Sequence, residues 1–563
     1  MRNFAHFNFP RTSSTIKLGI LIGGKVLFDL IIRNGIVVDG TGREAFAADV
    51  GIMDGLIVVL GRLKSGARRV IDADGLVVSP GFIDIHAHTD ELVIANPTCE
   101  SKLTQGVTTE VSGNCGYSAA PKGGCQNLAD YEESLERYGI EPAWGSMSDF
   151  LDVLASVPLA VNFATLVGHG TIRSYVMGYE DRKPTSEELA EMRRLASQSV
   201  REGAFGISSG LIYPPGCYAD TEELIEICRG VVPYGGLYAT HMRNEGTDLL
   251  NALSEALRIG RESGVGVQIS HHKACGRSSW GTVKDSLSVI DEARKHGIDV
   301  WADQYPYTAT STGLGTMFPK WMYDGGRKEF LKRLADPDIR QRLKEQMTHD
   351  TESGWIKDFC GWEAVVISGV KTEKNKSCEG LSVAEIARRR NSNPVDMAIE
   401  LMLEEDGEVS IVHFVIDEND VKTVMAHPAV LVGSDATARA TTGPLSESKP
   451  HPRAFGTFAR VLGKYVREEK VLSLEQAVSK MTGKTAGRLG LRKRGIIAEG
   501  YSADITVFDP ERITDTATFE EPLKPAIGVE YVVVNGAVCL EKGALTDEAR
   551  RGPGQVLKLE RSR

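Results

Sequence analysis

SPGFIDIHAHTD, residues 79–90, decides the fold. A short apolar run ends in His86 and His88, and side chains two apart on a strand share a face, so both imidazoles leave the strand's end together. Seven later runs have the same form, apolar first and polar at the end: VTTEVSGNC (107–115), NFATLVGH (162–169), AFGISSG (204–210), LYATHMR (237–243), VQISHHK (267–273), DVWADQYPY (299–307) and LVGSDA (431–436). Helical stretches separate them, two opening on capping boxes at Thr185-Ser-Glu-Glu188 and Ser473-Leu-Glu-Gln476. Near-continuous apolar strands alternating with helices read as a parallel sheet covered by helices. Eight repeats favour a closed α/β barrel of the (β/α)8 type, whose chemistry lies at the C-terminal ends of its strands.

The flanks read differently. LFDLIIRNGIVVDG (27–40), ADVGIMDGLIVVLG (48–61) and VIDADGLVVSPG (70–81) carry β-branched runs, with Asn34-Gly35 and Asp54-Gly55 as hairpin signals. The same texture returns in ADITVFD (503–509) and VEYVVVNGAVCLEKG (529–543), around Asn535-Gly536. We expect an antiparallel, composite β-sandwich domain built from both termini, 26–80 with 490–548, bracketing the barrel at 81–489. Residues 1–25 read as a loose leader and 549–563 as a C-terminal tail. The gap at 313–425 is too long for one helix; we expect an insertion there, with charged helices and two strand-like runs, covering the site.

The 563 residues carry 65 Lys+Arg against 76 Asp+Glu, a formal charge of −11. That balance disfavours a sequence-independent grip on nucleic acid, which needs clustered cations, and disfavours a membrane surface. No run approaches the roughly 20 apolar residues of a spanning helix. Nine irregularly spaced cysteines read as reduced thiols, favouring the cytoplasm.

Five of the eight strand ends offer a metal ligand: His86 and His88, Cys115, His241, His271 and Asp435. Taken singly, Cys115 is equally a buried thiol, His241 or His271 a core histidine, and Asp435 a helix cap. His272 points to the opposite face from His271 and reads as structural. In a barrel the strand ends converge, which favours the joint reading.

These stretches resemble the amidohydrolase superfamily and, within it, the N-acyl-D-amino-acid deacylases (D-aminoacylases). The resemblance is carried by residues 79–90, LTQGVTTEVSGNCG (103–116), GISSGLIYPPGCYADTEEL (206–224), YATHMRNEG (238–246), QISHHK (268–273), VGSDA (432–436), HPRAFGTFARVLGKYVRE (451–468), GYSADITVFDP (500–510) and RRGPGQVL (550–557). It implies a zinc held tightly by Cys115, His241 and His271, and a second, weaker metal position at His86 and His88 with Cys115 and Asp435. It implies Asp435 as the catalytic acid/base. The chain departs from the family pattern at Ala436, at Ala459 and near Thr485, none of them a ligand.

The implied reaction is hydrolysis of the linear amide of a small-molecule N-acyl-D-amino acid. Its α-carboxylate needs a cation or hydroxyls, for which Lys273 is the first candidate and Tyr305 and Tyr307 the next. Arg243 and Glu245 read as a pair orienting His241. Two rivals stand beside this reading. A cyclic amidase of the dihydroorotase or hydantoinase type bridges its metals with a carboxylated lysine, yet no lysine lies between Lys122 and Lys183. A non-catalytic scaffold would be expected to have lost ligands, and all six are present.

Overall fold

The computed structural model describes residues 21–22, 25–349 and 360–560. The expected leader therefore lies, apart from Leu21, Ile22 and Lys25, outside the described residues.

Eight parallel strands form the barrel. They are Phe82–Asp84, Val107–Ser112, Asn162–Thr165 continued by Val167–Gly168, Gly206–Gly210, Leu237–His241, Val267–Ile269, Val300–Gln304 and Val430–Val432, here called barrel strands 1 to 8. Strands 1 to 3 pair in one sheet, strands 3 to 8 in another, and Leu166 separates the two halves of strand 3. A parallel bridge between Ala87 and Ala436 joins strand 8 back to strand 1. Strands 2 and 4 are buried along their whole length, as two covered faces require. The helices Ser186–Glu202 and Leu474–Met481 open on the expected boxes, Thr185 with Glu188 and Ser473 with Gln476.

A nine-stranded sheet draws on both ends of the chain. Val77–Pro80 pairs antiparallel with Ile505–Phe508, which is where the two halves meet. Two expectations are corrected here. The sheet is mixed, because Phe28–Val37 runs parallel to both Ala67–Asp72 and Val77–Pro80. Asn34-Gly35 is no hairpin turn: Phe28–Val37 is one strand, and its register with Phe46–Met53 shifts between Ile32 and Gly35. Asn34 is left-handed (φ 62°) with its backbone N–H on Asp49 and its side chain on Asp72, so the dipeptide makes a bulge. Asp54-Gly55 and Asn535-Gly536 do connect hairpins, with positive φ at both residues.

Between strands 7 and 8 the chain adds a three-stranded antiparallel sheet of Thr310–Gly313, Ser410–His413 and Val365–Gly369, with four helices beside it among the described residues. It has its own core around Phe330, Ile367, Met397 and Leu401. The helix Glu418–Ala426 packs instead on barrel strand 8 and its neighbours.

The C-terminal segment is not a free tail. Phe163 at the start of strand 3 donates to Gln555 and accepts from Leu557, and Leu557 and Leu559 pack on the barrel's interior cluster. Gly554 lies so close to strand 3's approach that a Cβ would stand 2.2 Å from the Val161 carbonyl oxygen. Gly554→Ala should therefore destabilise the fold by about 1–3 kcal/mol. A urea midpoint unchanged from the parent would show that the segment seats loosely.

Candidate active site

The C-terminal ends of the barrel strands gather the expected donors. Cys115 Sγ lies 3.4 Å from His86 Nε2 and 3.4 Å from His271 Nε2. Asp435 Oδ1 is 2.9 Å from His88 Nε2 and 3.4 Å from His86 Nε2. His86, Cys115, His271 and Asp435 each offer one ligand atom, all within 4.8 Å of one another, and His241, Glu245 and His271 form a second such group. His271 is common to both. Cys115, His271 and Asp435 all occupy left-handed backbone, at φ 51°, 36° and 53°. Such conformations cost of order 1–3 kcal/mol each and persist where surrounding structure dictates them.

Carboxylates behind the imidazoles fix which nitrogen faces inward. Asp303 Oδ1 sits 2.9 Å from His86 Nδ1, which leaves Nε2 toward the sulfur, and the same oxygen accepts the His271 backbone N–H. Glu245 Oε1 lies 2.9 Å from His271 Nδ1 and its other oxygen 3.5 Å from His241 Nε2. Among the described residues neither ring nitrogen of buried His241 has a hydrogen-bond partner. A buried imidazole with both nitrogens unsatisfied is costly unless a ligand completes it. A thiolate, imidazoles and a carboxylate form a donor set that suits a borderline cation such as zinc.

Charge in this cluster is balanced by neighbours. Burial raises the Cys115 thiol's pKa, but His86 and His271 outweigh it and hold the group well below the ordinary thiol range. Burial likewise works against ionised Asp435, yet Arg453, His271 and His88 keep it well below the usual carboxylate value. Arg453 Nη1 is 2.7 Å from Asp435 Oδ2. Desolvation lowers the pKa of half-buried His88, but Asp435 and Cys115 outweigh it and raise the group to about 9.

The other sequence candidates divide. Lys273 reaches the site, but its Nζ is 2.6 Å from Glu245 Oε1 and 2.8 Å from His271 Nδ1, so it balances a buried carboxylate. Tyr305 lines the cavity, its buried hydroxyl without a hydrogen-bond partner among the described residues and its ring under the Arg453 guanidinium at 4.7 Å. Tyr307 is corrected: its hydroxyl donates to Asp515 at 3.4 Å, its ring lies under Arg460, and it is absent from the cavity wall. Arg243 and Glu245 do not pair, since Arg243 is held by Glu255 with two contacts at 2.9 Å. His272 is structural, bonded to Ser286.

Two residues escaped the sequence reading. Arg453 stands in the quoted HPRAFGTF motif, and Asp303 in the strand ending DVWADQ; alternation along strand 7 was the signal available for the latter. His88, Cys115, His241, His271 and Asp435 line a cavity of about 1190 Å³, whose wall also includes Thr310, Met317, Phe318 and Lys320 from the added segment.

The chain matches the model of the amidohydrolase family over residues 69–539. It is 38% identical to a D-aminoacylase of Alcaligenes xylosoxydans xylosoxydans over 92% of this chain and 96% of that protein. It is 37% identical to an N-acyl-D-aspartate deacylase of the same organism, over 94% and 95%. The crystal structure of N-acyl-D-glutamate deacylase from Bordetella bronchiseptica, complexed with zinc and a phosphonate mimic of the tetrahedral intermediate, superimposes with a TM-score of 0.79. Identity there is 33%, covering 94% of this chain and 100% of that one.

Cys115→Ala should lose most bound metal, whereas Tyr307→Phe should bind as the parent does; metal analysis of the purified variants measures both. Full metal content in Cys115→Ala would remove the sulfur from the donor set.

Proposed function

The chain belongs to the amidohydrolase family and groups there with the D-aminoacylases, and from that premise we propose that it is a zinc-dependent hydrolase of N-acyl-D-amino acids. It cleaves the linear amide to a carboxylate and a free D-amino acid. The observation that carries the reading is the convergence of Cys115, His86, His271 and Asp435 on one point at the barrel mouth. The choice of D substrates rests on the relatives.

Cys115, His241 and His271 would hold the zinc, with His86, His88 and Asp435 beside them for a second, weaker ion. When bound, zinc supplies Lewis acidity, polarising the amide carbonyl and making water acidic enough to attack near neutral pH. Asp435, ionised and held by Arg453, takes the proton that the attacking water gives up. It then returns that proton to the amide nitrogen as the carbon–nitrogen bond breaks, so the amine leaves neutral. Arg453 and the unpartnered Tyr305 hydroxyl face the cavity next to Asp435 and are placed to receive the substrate's α-carboxylate, with Lys273 behind them. Arg453 serves two anions, because a planar guanidinium has five donors to share.

A cyclic amidase is less well supported. Cys115 Sγ stands between His86 and His271 where a bridging group belongs, and the third strand carries no lysine. No helix among the described residues is long and apolar enough to cross a membrane. The irregular spacing of the nine cysteines, which fits no disulfide framework, supports a cytoplasmic location.

A panel of N-acetyl-D- and N-acetyl-L-amino acids, scored for amine release with and without added zinc, should show zinc-dependent turnover of D substrates. Turnover of L substrates alone, or of none, would sink the proposal. Asp435→Asn should keep near-normal zinc while turnover falls by about 10²–10⁴-fold. Retained turnover would remove its role as acid/base.

A further inference from the structure

Behind the site lies an ammonium group that the reaction does not touch. Lys102, on the short helix Glu100–Leu103, is completely buried. Its Nζ has three N–H groups and three acceptors at bonding distance: Asp84 Oδ2 at 2.7 Å, Ser434 Oγ at 2.9 Å and the Ala436 carbonyl at 2.9 Å. Glu110 on strand 2 stands 3.6 Å away. Ser434 and Ala436 flank Asp435, so one cation grips the turn on both sides of that residue.

The rest of the turn is bound to strand 1. Ser434 N–H donates to Asp84 Oδ1 at 2.8 Å, and Asp435 N–H donates to the His86 carbonyl at 2.7 Å. Ala436 N–H reaches Ser434 Oγ at 3.2 Å. Asp84 also accepts the His86 N–H at 3.2 Å, so strand 1 and the Asp435 turn share one carboxylate. Asp435 is left-handed at φ 53°, a conformation a non-glycine residue holds only under such restraint. A compact ammonium with three N–H groups matches three acceptors gathered around one nitrogen, where a guanidinium spreads its donors over a plane.

We propose that Lys102 is a positioning residue: through Ser434 and the Ala436 carbonyl it holds Asp435 at the attitude required for proton transfer, without meeting substrate. The inference rests on the role given to Asp435 above. A displacement of about 1 Å at a reacting group costs on the order of 10²-fold in rate, which sets the scale of the effect.

Two variants test it. Ser434→Ala removes the hydroxyl between the ammonium and the turn but leaves Lys102 paired with Asp84, so no buried charge is stranded. It should lower kcat by about 10–10²-fold, leave KM within about twofold and zinc content unchanged, and speed amide hydrogen exchange at residues 434–436 at least about tenfold. Lys102→Met combined with Asp84→Asn removes one charge of each sign and should show the larger fall in kcat with the same KM. If that pair does not fold, Ser434→Ala decides alone. Parent kcat with parent exchange rates in Ser434→Ala overturns the proposal, as does a fall in kcat that tracks a loss of zinc. An inactive parent enzyme would instead sink the functional reading, and exchange alone would then judge whether this network holds the turn.

Discussion

A single sulfur atom, equidistant at 3.4 Å from the inner nitrogens of His86 and His271, is the point on which the site is built. A thiolate at such depth survives only among positive or proton-donating groups. Those imidazoles are themselves aimed by anions, Asp303 behind His86 and Glu245 behind His271. Outside the carboxylates stand cations again, Lys273 on Glu245 and Arg453 on Asp435. Glu245 and Asp435 thus each face a cation on their outer side. The arrangement explains why a protein of net charge −11 presents cations to the inner cavity.

The backbone obeys the same constraint. Cys115, His271 and Asp435 leave their strands in left-handed conformations, which a non-glycine residue keeps only where its surroundings impose them. The turn after Cys115 packs against strand 4 so closely that a Cβ on Gly210 would stand 2.1 Å from the Cys115 carbonyl oxygen. On the other side Asp90 accepts the Gly113 N–H, and Glu91 accepts the Tyr117 hydroxyl. Residues just past strand 1 thus clamp the Cys115 loop, as residues on the same segment restrain the Asp435 turn.

Much of this was legible in the chain. Barrel strands are almost wholly buried and their runs largely apolar, so a His, Cys or Asp that closes such a run stands out, which is why the six ligand candidates could be picked without a structure. What stayed hidden depends on partners far apart in sequence. Nothing local distinguishes Lys273 paired with Glu245 from Lys273 awaiting a carboxylate, or shows that Tyr307 turns toward Asp515. Asp303 lies one pleat inside the strand end that was read, and Arg453 comes from a helix beyond the last strand. Asn34-Gly35 was misread for a related reason: the dipeptide permits positive φ, and only the neighbouring strands choose between a turn and a bulge.

The joining of the two chain ends bears on how the protein is made. Val77–Pro80 waits for Ile505–Phe508, and strand 3 for Gln555 to Leu557. At about 5–20 residues per second, the ribosome needs roughly 20 to 90 seconds to deliver the partner strand. Throughout that interval the early strands present an unpaired edge to solvent, the kind of surface that chaperones shield. Completion of the fold is thus a late event, waiting on Ile505–Phe508 and on Gln555 to Leu557.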